Sequence, residues 1–411
     1  MKQIGMIQKV MDDYEIVSFN EFSDIYVVNT CTVTNMSDRK SRQILRRCKE
    51  INPNAVVVAV GCYAEVARDE IEKIPEVDLI LGNSDKVRIK EVLEDYFDAG
   101  ILQCSSSDNS NIDNYSEYGS ITYTDKTRAV IKVQDGCNQF CSYCIIPYAR
   151  GRIRSRNRES VLQEIHQLAE NGYKEVVITG IHVASYGKDK NDGYYLIDLL
   201  EDINKIDGLL RIRLGSLEPT LITDEFVNRI SKLNKMCHHF HLSLQSGCDK
   251  TLKNMNRKYT TSDFKEVVER LRNAYNDVIL TTDIIVGFPG ESEDDFNNTY
   301  NFLKDIKFYK MHVFKYSPRK GTVAAKMNDQ ISPEIKEKRS KELIKLSDEN
   351  ELDYLKSYVG KNVEVLFEEV DGEFIKGHTQ NYILVKKSGE GIVNCTDIVK
   401  IIGNEKDCLI G

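Results

Sequence analysis

Apolar positions in the first hundred residues fall into short, nearly unbroken runs: SDIYVVNTC, NAVVVAVGC and VDLILGN. Strands apolar on both faces suit a parallel sheet covered by helices. Between them, MKQIGMIQKVMDDY and SDRKSRQILRRCKE read as helices, the second with Ser37 or Asp38 as its N-cap. The stretch 104–122, CSSSDNSNIDNYSEYGSIT, is polar and poor in aliphatics, and predicts a linker. From 128 to about 316 strands and helices alternate again. RAVIKVQ, KEVVITG, LLRIRLGS, HFHLSLQ, VILTTDIIVGF and KMHVFKYS are the strands, and six β/α units predict a partial barrel. A helix follows, with Ser332 and Pro333 at its start and Gly360 past its end. The last stretch (KNVEVLFEEV, DGEFIKGHTQ, NYILVKK, GIVNC) predicts a small antiparallel β-barrel. The expected class is α/β, with an open sheet at 1–103, the linker at 104–122, the partial barrel at 123–355 and the small barrel at 356–411.

Composition narrows the setting. The 411 residues are 41% hydrophobic and 29% charged, and the longest apolar run is far too short to span a bilayer. No signal-peptide core opens the chain, so a cytoplasmic protein without a membrane partner is expected. A net charge of −8 argues against general polyanion binding, so nucleic-acid contact requires local basic patches.

Three of the eleven cysteines crowd into GCNQFCSYC (136–144) as Cys137, Cys141 and Cys144. In a reducing compartment such a cluster points to metal or catalysis rather than disulfides. A cubane iron–sulfur cluster has four irons and normally four thiolates, so three cysteines leave one iron for a chelating substrate. Zinc prefers four ligands in two pairs, and the next cysteine, Cys237, is far off in sequence. A zinc site and buried inert thiols remain the plainer readings. C-x3-C-x2-C at the end of the first strand of a β/α barrel resembles the radical S-adenosylmethionine superfamily. That resemblance implies a 4Fe–4S cluster whose open iron binds the methionine moiety, and reduction of the sulfonium to a 5′-deoxyadenosyl radical.

Other strand ends carry candidate cofactor contacts. Period two in HFHLSLQ puts His239, His241, Ser243 and Gln245 on one face. Gly180 after Thr179, Glu218 in SLEP, and Asp283, Gly287 and Gly290 in TTDIIVGFPGE close other strands, as cofactor contacts or as turn residues. CHHFH (237–241) gathers metal-type side chains, but strand alternation splits them between faces. In ARGRIRSRNR, Arg150, Arg152, Arg154, Arg156 and Arg158 recur every second residue; in extended chain they share one face suited to phosphates, with a solvated run as the alternative. The helix 37–50 carries six further cations, as a second RNA-facing surface or an exposed face.

NTCTVTN, VGCYAE, GCNQFCSYCIIPYARGRIRSR, HFHLSLQSGCDKTLKNMNRKYTT, TDIIVGFPGE and YSPRKGT together resemble the bacterial methylthiotransferase family, over nearly the whole chain. Within it they resemble the branch acting on N6-threonylcarbamoyladenosine next to the tRNA anticodon. The resemblance implies hydrogen abstraction from C2 of the adenine and insertion of a methylthio group, with a second S-adenosylmethionine as methyl donor. It implies the tRNA anticodon stem-loop, a flavodoxin- or ferredoxin-like electron donor and a sulfur donor as partners of a monomer, and it makes the final barrel an RNA-binding TRAM module. A second 4Fe–4S cluster in the family takes three N-terminal cysteines. Cys31 and Cys62 match two; the first, in a stretch like L-G-C-K-V-N after an opening strand, has no counterpart here. The expectation is a misassigned start or a truncated gene, and for the chain as written the second cluster is in question. The alternatives are the same chemistry on isopentenyladenosine or a ribosomal-protein aspartate, and a non-catalytic RNA-binding protein. Residues 360–411 hold six Lys/Arg against nine Asp/Glu, so RNA binding there requires a focused patch.

Overall fold

The computed structural model describes residues 7, 11, 13–99, 104–105, 115–117, 127–389 and 391–411. It divides into two compact units that follow packing rather than chain order. Unit 1 comprises 1–121, 134–156 and 317–326; unit 2 comprises 122–133, 157–316 and 327–411.

Unit 1 is built on a sheet of order β1 (Ile25–Thr30), β2 (Val56–Gly61), β3 (Leu79–Leu81) and β4 (Cys104–Ser105), each pair parallel. The unbroken apolar run of β2 has a direct cause. Val57 and Ala59 face a core with Tyr26, Leu45 and Cys48, while Val56, Val58 and Val60 face a second core with Leu79, Leu81 and Val92. Ile7 and Met11, joined by a helical hydrogen bond, pack on that second face. Most of the rest of the helix expected at 1–14, and most of the linker expected at 104–122, lie outside the described residues. Helix α1 (Asn35–Ile51) begins earlier than the sequence suggests: its N-cap is Thr34, whose hydroxyl accepts from Ser37 N–H. Asp38 does not cap the helix because it is buried against the Arg319 guanidinium.

Strand β5 spans Arg128–Asp135. Its last residues, Gln134 and Asp135, pair antiparallel with β6 (Arg154–Ser155) in unit 1. In unit 2, β5 neighbours β7 (Glu175–Gly180), which pairs parallel with β8 (Arg211–Leu214). A second parallel sheet holds β9 (His239–Gln245), β10 (Ile279–Val286) and β11 (Lys310–Lys315). Parallel bridges Ile212↔Met236 and Leu217↔Leu242 join the two, giving the six-stranded partial barrel. Phe240, Leu242 and Leu244 enter its outer core with Phe264, Val268 and Leu271 of a covering helix. The helix Pro333–Tyr358 starts at its Ser332 cap and packs along β11.

The C-terminal segment is a curled sheet in unit 2: β12 (Asn362–Asp371), β13 (Phe374–Thr379), β14 (Leu384–Ser388), β15 (Thr396–Lys400), β16 (Gly403–Asn404) and β17 (Leu409–Ile410), in the order β15-β12-β13-β14-β17-β16. The strand expected at GIVNC instead forms at Thr396–Lys400, where pairing with β12 is available. The loop after β13 seats against the barrel base. Tyr382 stacks on His378 at 4.6 Å, and the Arg213 and Arg128 guanidinium carbons lie 4.2 and 4.9 Å from its ring. Both arginines donate to the fully buried Glu175, at 2.7 and 2.6 Å. Burial alone would raise the Glu175 pKa, but the two guanidinium groups overcome it and hold the carboxyl at about 2.

Candidate active site

All five candidate cluster cysteines lie in unit 1. The loop carrying three of them leaves β5 through Gly136. At φ +73° a Cβ there would sit 1.7 Å from the Arg152 carbonyl oxygen, so only glycine lets the loop pass its own return strand. Cys137 N–H donates to Gly151 O (3.1 Å), Cys144 N–H to Cys141 O (2.9 Å), and Gln139 N–H points at Cys137 Sγ (3.4 Å). Phe140, left-handed at φ 48°, turns the chain between the first two cysteines. Cys137 and Cys141 are buried and Cys144 is half-buried. Ala324 N–H closes on Ser142 O at 2.8 Å. Among the described residues, no three His, Cys, Asp or Glu side chains gather around a single metal ion. A sulfur-only set on one loop, with a backbone N–H aimed at a sulfur, fits a cluster whose ligands each take a different iron.

Cys31 and Cys62 each follow a strand end at the same sheet edge. Thr30 of β1 stands opposite Gly61 of β2, so the residues that follow leave the same sheet edge side by side. Gly61 makes this possible: at φ +106° a Cβ would lie 2.4 Å from Thr30 O. Cys62 is then the first residue of a short helix, Cys62–Val66, which packs on the helix Ile146–Arg150 that follows the three-cysteine loop. Cys31 is exposed, its N–H directed to Ser41 Oγ (3.4 Å); Cys62 is buried.

Two residues at this edge were not singled out in the sequence. Asn83, just past β3, donates from Nδ2 to Ala149 O (2.7 Å) and towards Cys62 Sγ (3.7 Å). Arg319 reaches Thr32 Oγ1 and Asn35 Oδ1, both at 2.7 Å, besides Asp38. The available signals were the polar residue closing VDLILGN and the arginine of YSPRKGT.

The arginine ladder does not form a face. Arg150, Arg154 and Arg156 are only 8, 7 and 5% exposed. Arg150 ends a helix rather than lying in extended chain; it pairs with Asp135 (3.3 Å) and lies against Cys62. Burial opposes its charge, but the Cys62 and Asp135 groups beside it raise its pKa. Arg154 donates to the Arg150 and Arg152 carbonyls, and Arg156 to Glu117. Only Arg152 and Arg158 are exposed, with Arg152 stacked over Phe140. Because β6 is only two residues long, the alternation inferred from sequence has no strand to act on.

In unit 2 the predicted polar side of β9 lies opposite its core-facing Phe240, Leu242 and Leu244. His241 Nε2 sits 3.2 Å from Asp283, His241 Nδ1 and His239 Nε2 meet Thr281 Oγ1, and His312 flanks His241 at 5.7 Å between ring centres. Burial drives His239 well below the usual imidazole pKa. Gln245 ends β9 with φ 69°. Glu218 is buried and accepts from Arg257 (2.8 Å). Gly180 ends β7; Gly287 N–H donates to Glu291, and Lys336 packs over its Cα. The CHHFH stretch gathers no metal set: Cys237 is fully buried, and burial pushes its thiol up to about 12.

Residues 131–303 match the radical SAM superfamily, and residues 3–82 match the uncharacterized protein family UPF0004. A threonylcarbamoyladenosine tRNA methylthiotransferase, MtaB of Bacillus subtilis (strain 168), is 41% identical over 95% of this chain and 88% of its own length. The chain belongs to the radical SAM methylthiotransferase family. The MtaB of Aquifex aeolicus (strain VF5) is 40% identical over 92% of this chain and 91% of its own. A tRNA-2-methylthio-N(6)-dimethylallyladenosine synthase of Clostridium botulinum (strain Loch Maree / Type A3) is 36% identical over 95 and 88%. Among solved structures, a radical S-adenosylmethionine methyltransferase, TsrM from Kitasatospora setae, superposes with TM-score 0.57 at 14% identity, over 76% of this chain and 69% of that one, a likeness of fold. A methylthiotransferase of this family takes a 4Fe–4S cluster and S-adenosylmethionine as cofactors. No helix among the described residues is long and apolar enough to cross a membrane.

Proposed function

We infer that the protein converts N6-threonylcarbamoyladenosine next to the tRNA anticodon to its 2-methylthio derivative. The observation that carries this reading is the gathering of two cysteine sets, Cys137/Cys141/Cys144 and the register-matched Cys31/Cys62, in one compact unit. The identity to two MtaB proteins supports the choice of base. When bound, a 4Fe–4S cluster would supply the one-electron chemistry that reductively cleaves S-adenosylmethionine so that hydrogen can be taken from the adenine C2. Cys137, Cys141 and Cys144 would hold that cluster. Cys31 and Cys62 contribute thiolates to the sulfur-presenting one, and Asn83 and Arg150 orient Cys62. Gly180, Glu218, Gln245, Asp283 and Gly287 are assigned to S-adenosylmethionine, and Arg152 is the exposed ladder arginine of unit 1 left for RNA, Arg158 being paired with Glu159. An unpaired anticodon-loop base, able to splay out of its stack, is the substrate such chemistry can reach. A low-potential flavodoxin- or ferredoxin-type donor and a sulfur donor complete the partners, and the protein acts as a monomer.

The test is nucleoside analysis of tRNA from a deletion strain, before and after complementation. Loss of methylthio-threonylcarbamoyladenosine, restored by the gene, is expected. Unchanged levels with loss of the methylthio-isopentenyl nucleoside would transfer the activity to the base named for the 36% identical relative.

A further inference from the structure

With three ladder arginines turned inward, unit 1 needs another surface to meet RNA. Helix α1 carries six basic residues and two acidic ones, a net +4 within a chain of −8. Its cations fall into two sets. Arg42 and Lys49, turned towards the sheet side, are paired: Arg42 with Tyr63 Oη (2.6 Å) and Glu70, Lys49 with Asp78 (2.9 Å). Arg39, Lys40, Arg46 and Arg47 are exposed, and among the described residues no carboxylate lies within ion-pair distance of any of them. Among the described residues, Arg47 meets neutral groups, Asn20 Oδ1 at 2.9 Å and the Phe19 ring. Positions 39, 40, 43, 46 and 47 recur at helical spacing and form one stripe roughly 12 Å long. Met36 and Ile44 are exposed beside it, an apolar surface for an unstacked base.

The stripe is held in place relative to the cysteine edge. Ser41 of α1 accepts the Cys31 N–H, and Arg319 ties Asp38 and Asn35, at the start of α1, to Thr32. A solvated helix face ordinarily mixes its charges; a like-charged, uncompensated stripe rigidly joined to the candidate sulfur edge is built for a polyanion. We propose that the outer face of α1 is the docking surface of unit 1 for the tRNA anticodon stem-loop, with Arg39, Lys40, Arg46 and Arg47 on its phosphates. This rests on the tRNA substrate proposed above.

Binding of a fluorescent anticodon stem-loop carrying N6-threonylcarbamoyladenosine, measured between about 50 and 200 mM salt, tests it. Changing Arg39, Lys40, Arg46 and Arg47 together to Gln should weaken binding about 10- to 100-fold and reduce the slope of log affinity against log salt by about 3. The pairs R39Q/K40Q and R46Q/R47Q should each take roughly half of that slope, and they carry the test if the quadruple variant loses its circular-dichroism melting transition. K341Q/K345Q, which removes exposed lysines already paired with Glu337 and Glu349, should leave both quantities unchanged. An unaltered slope in the α1 variants, or an equal loss in the control, overturns the interface while the substrate reading stands. Absence of stem-loop binding by the unmodified protein overturns both.

Discussion

Two places in this protein bury an arginine beside a cysteine, with opposite consequences. At the barrel base of unit 2, Arg213 lies near Cys237, but Glu175 takes the guanidinium, Tyr382 covers it, and the thiol is pushed up to about 12. At the sheet edge of unit 1, Arg150 lies against Cys62; its carboxylate Asp135 stands 3.3 Å away, Asn83 turns a donor towards the sulfur, and the exposed Cys31 follows Thr30, the register partner of Gly61. The same residue pair is a sealed structural element in one region and a candidate ligand site in the other. What differs is position along a strand. Cys237 precedes β9 at the closed base, whereas Cys62 follows β2 at the carboxyl edge, where parallel sheets present their ligands.

The largest expected effect contrasts the two cysteine classes. Replacing Cys137, Cys141 and Cys144 together by Ala should abolish S-adenosylmethionine cleavage under dithionite and remove about four irons per chain. Cys237→Ala should leave iron content and cleavage near wild type. Equal iron loss in both proteins would erase the distinction.

Next in size is the barrel base. Glu175→Gln leaves the buried Arg213 without its carboxylate and Arg128 with Glu368 alone, and should cost about 3–5 kcal/mol of stability, read as a lowered melting temperature. The sign of its pH dependence follows from the depressed carboxyl. Its unfolded pKa is about 4.3 and its folded one about 2, so its contribution is complete above pH ~4.3 and is lost as pH falls towards 2. The difference in stability between wild type and Glu175→Gln should therefore shrink across that window in acid unfolding curves. A constant difference would show that the Arg128–Glu175–Arg213 group does not stabilise the native state as an ion-paired network.

The smallest effects separate the ladder arginines. Arg154→Gln loses donors to two backbone carbonyls and should destabilise by about 1–3 kcal/mol. Arg152→Gln, at an exposed position, should change stability by less than about 0.5 kcal/mol and lower stem-loop affinity only a few-fold. The reverse order in thermal melts would restore the ladder as a solvent-facing surface.

The sequence by itself determined the element types and the chemistry class. Apolar runs on both faces specify buried parallel strands, and β2 splits its residues between two cores as that reading requires. The spacing of Cys137, Cys141 and Cys144 is short enough to be read without a fold. Tertiary structure alone decided the rest, because it depends on which residues distant in the chain become neighbours. Register set the strand ends before Cys31 and Cys62 opposite each other, the local packing around a two-residue β6 buried Arg150, Arg154 and Arg156, and the seating of Tyr382 on Arg213 closed the barrel base. Local periodicity carries a residue's face within its own element. Whether that face meets solvent, a carboxylate or a sulfur is set by what packs against it, and a charged side chain 150 residues away leaves no trace in the local pattern.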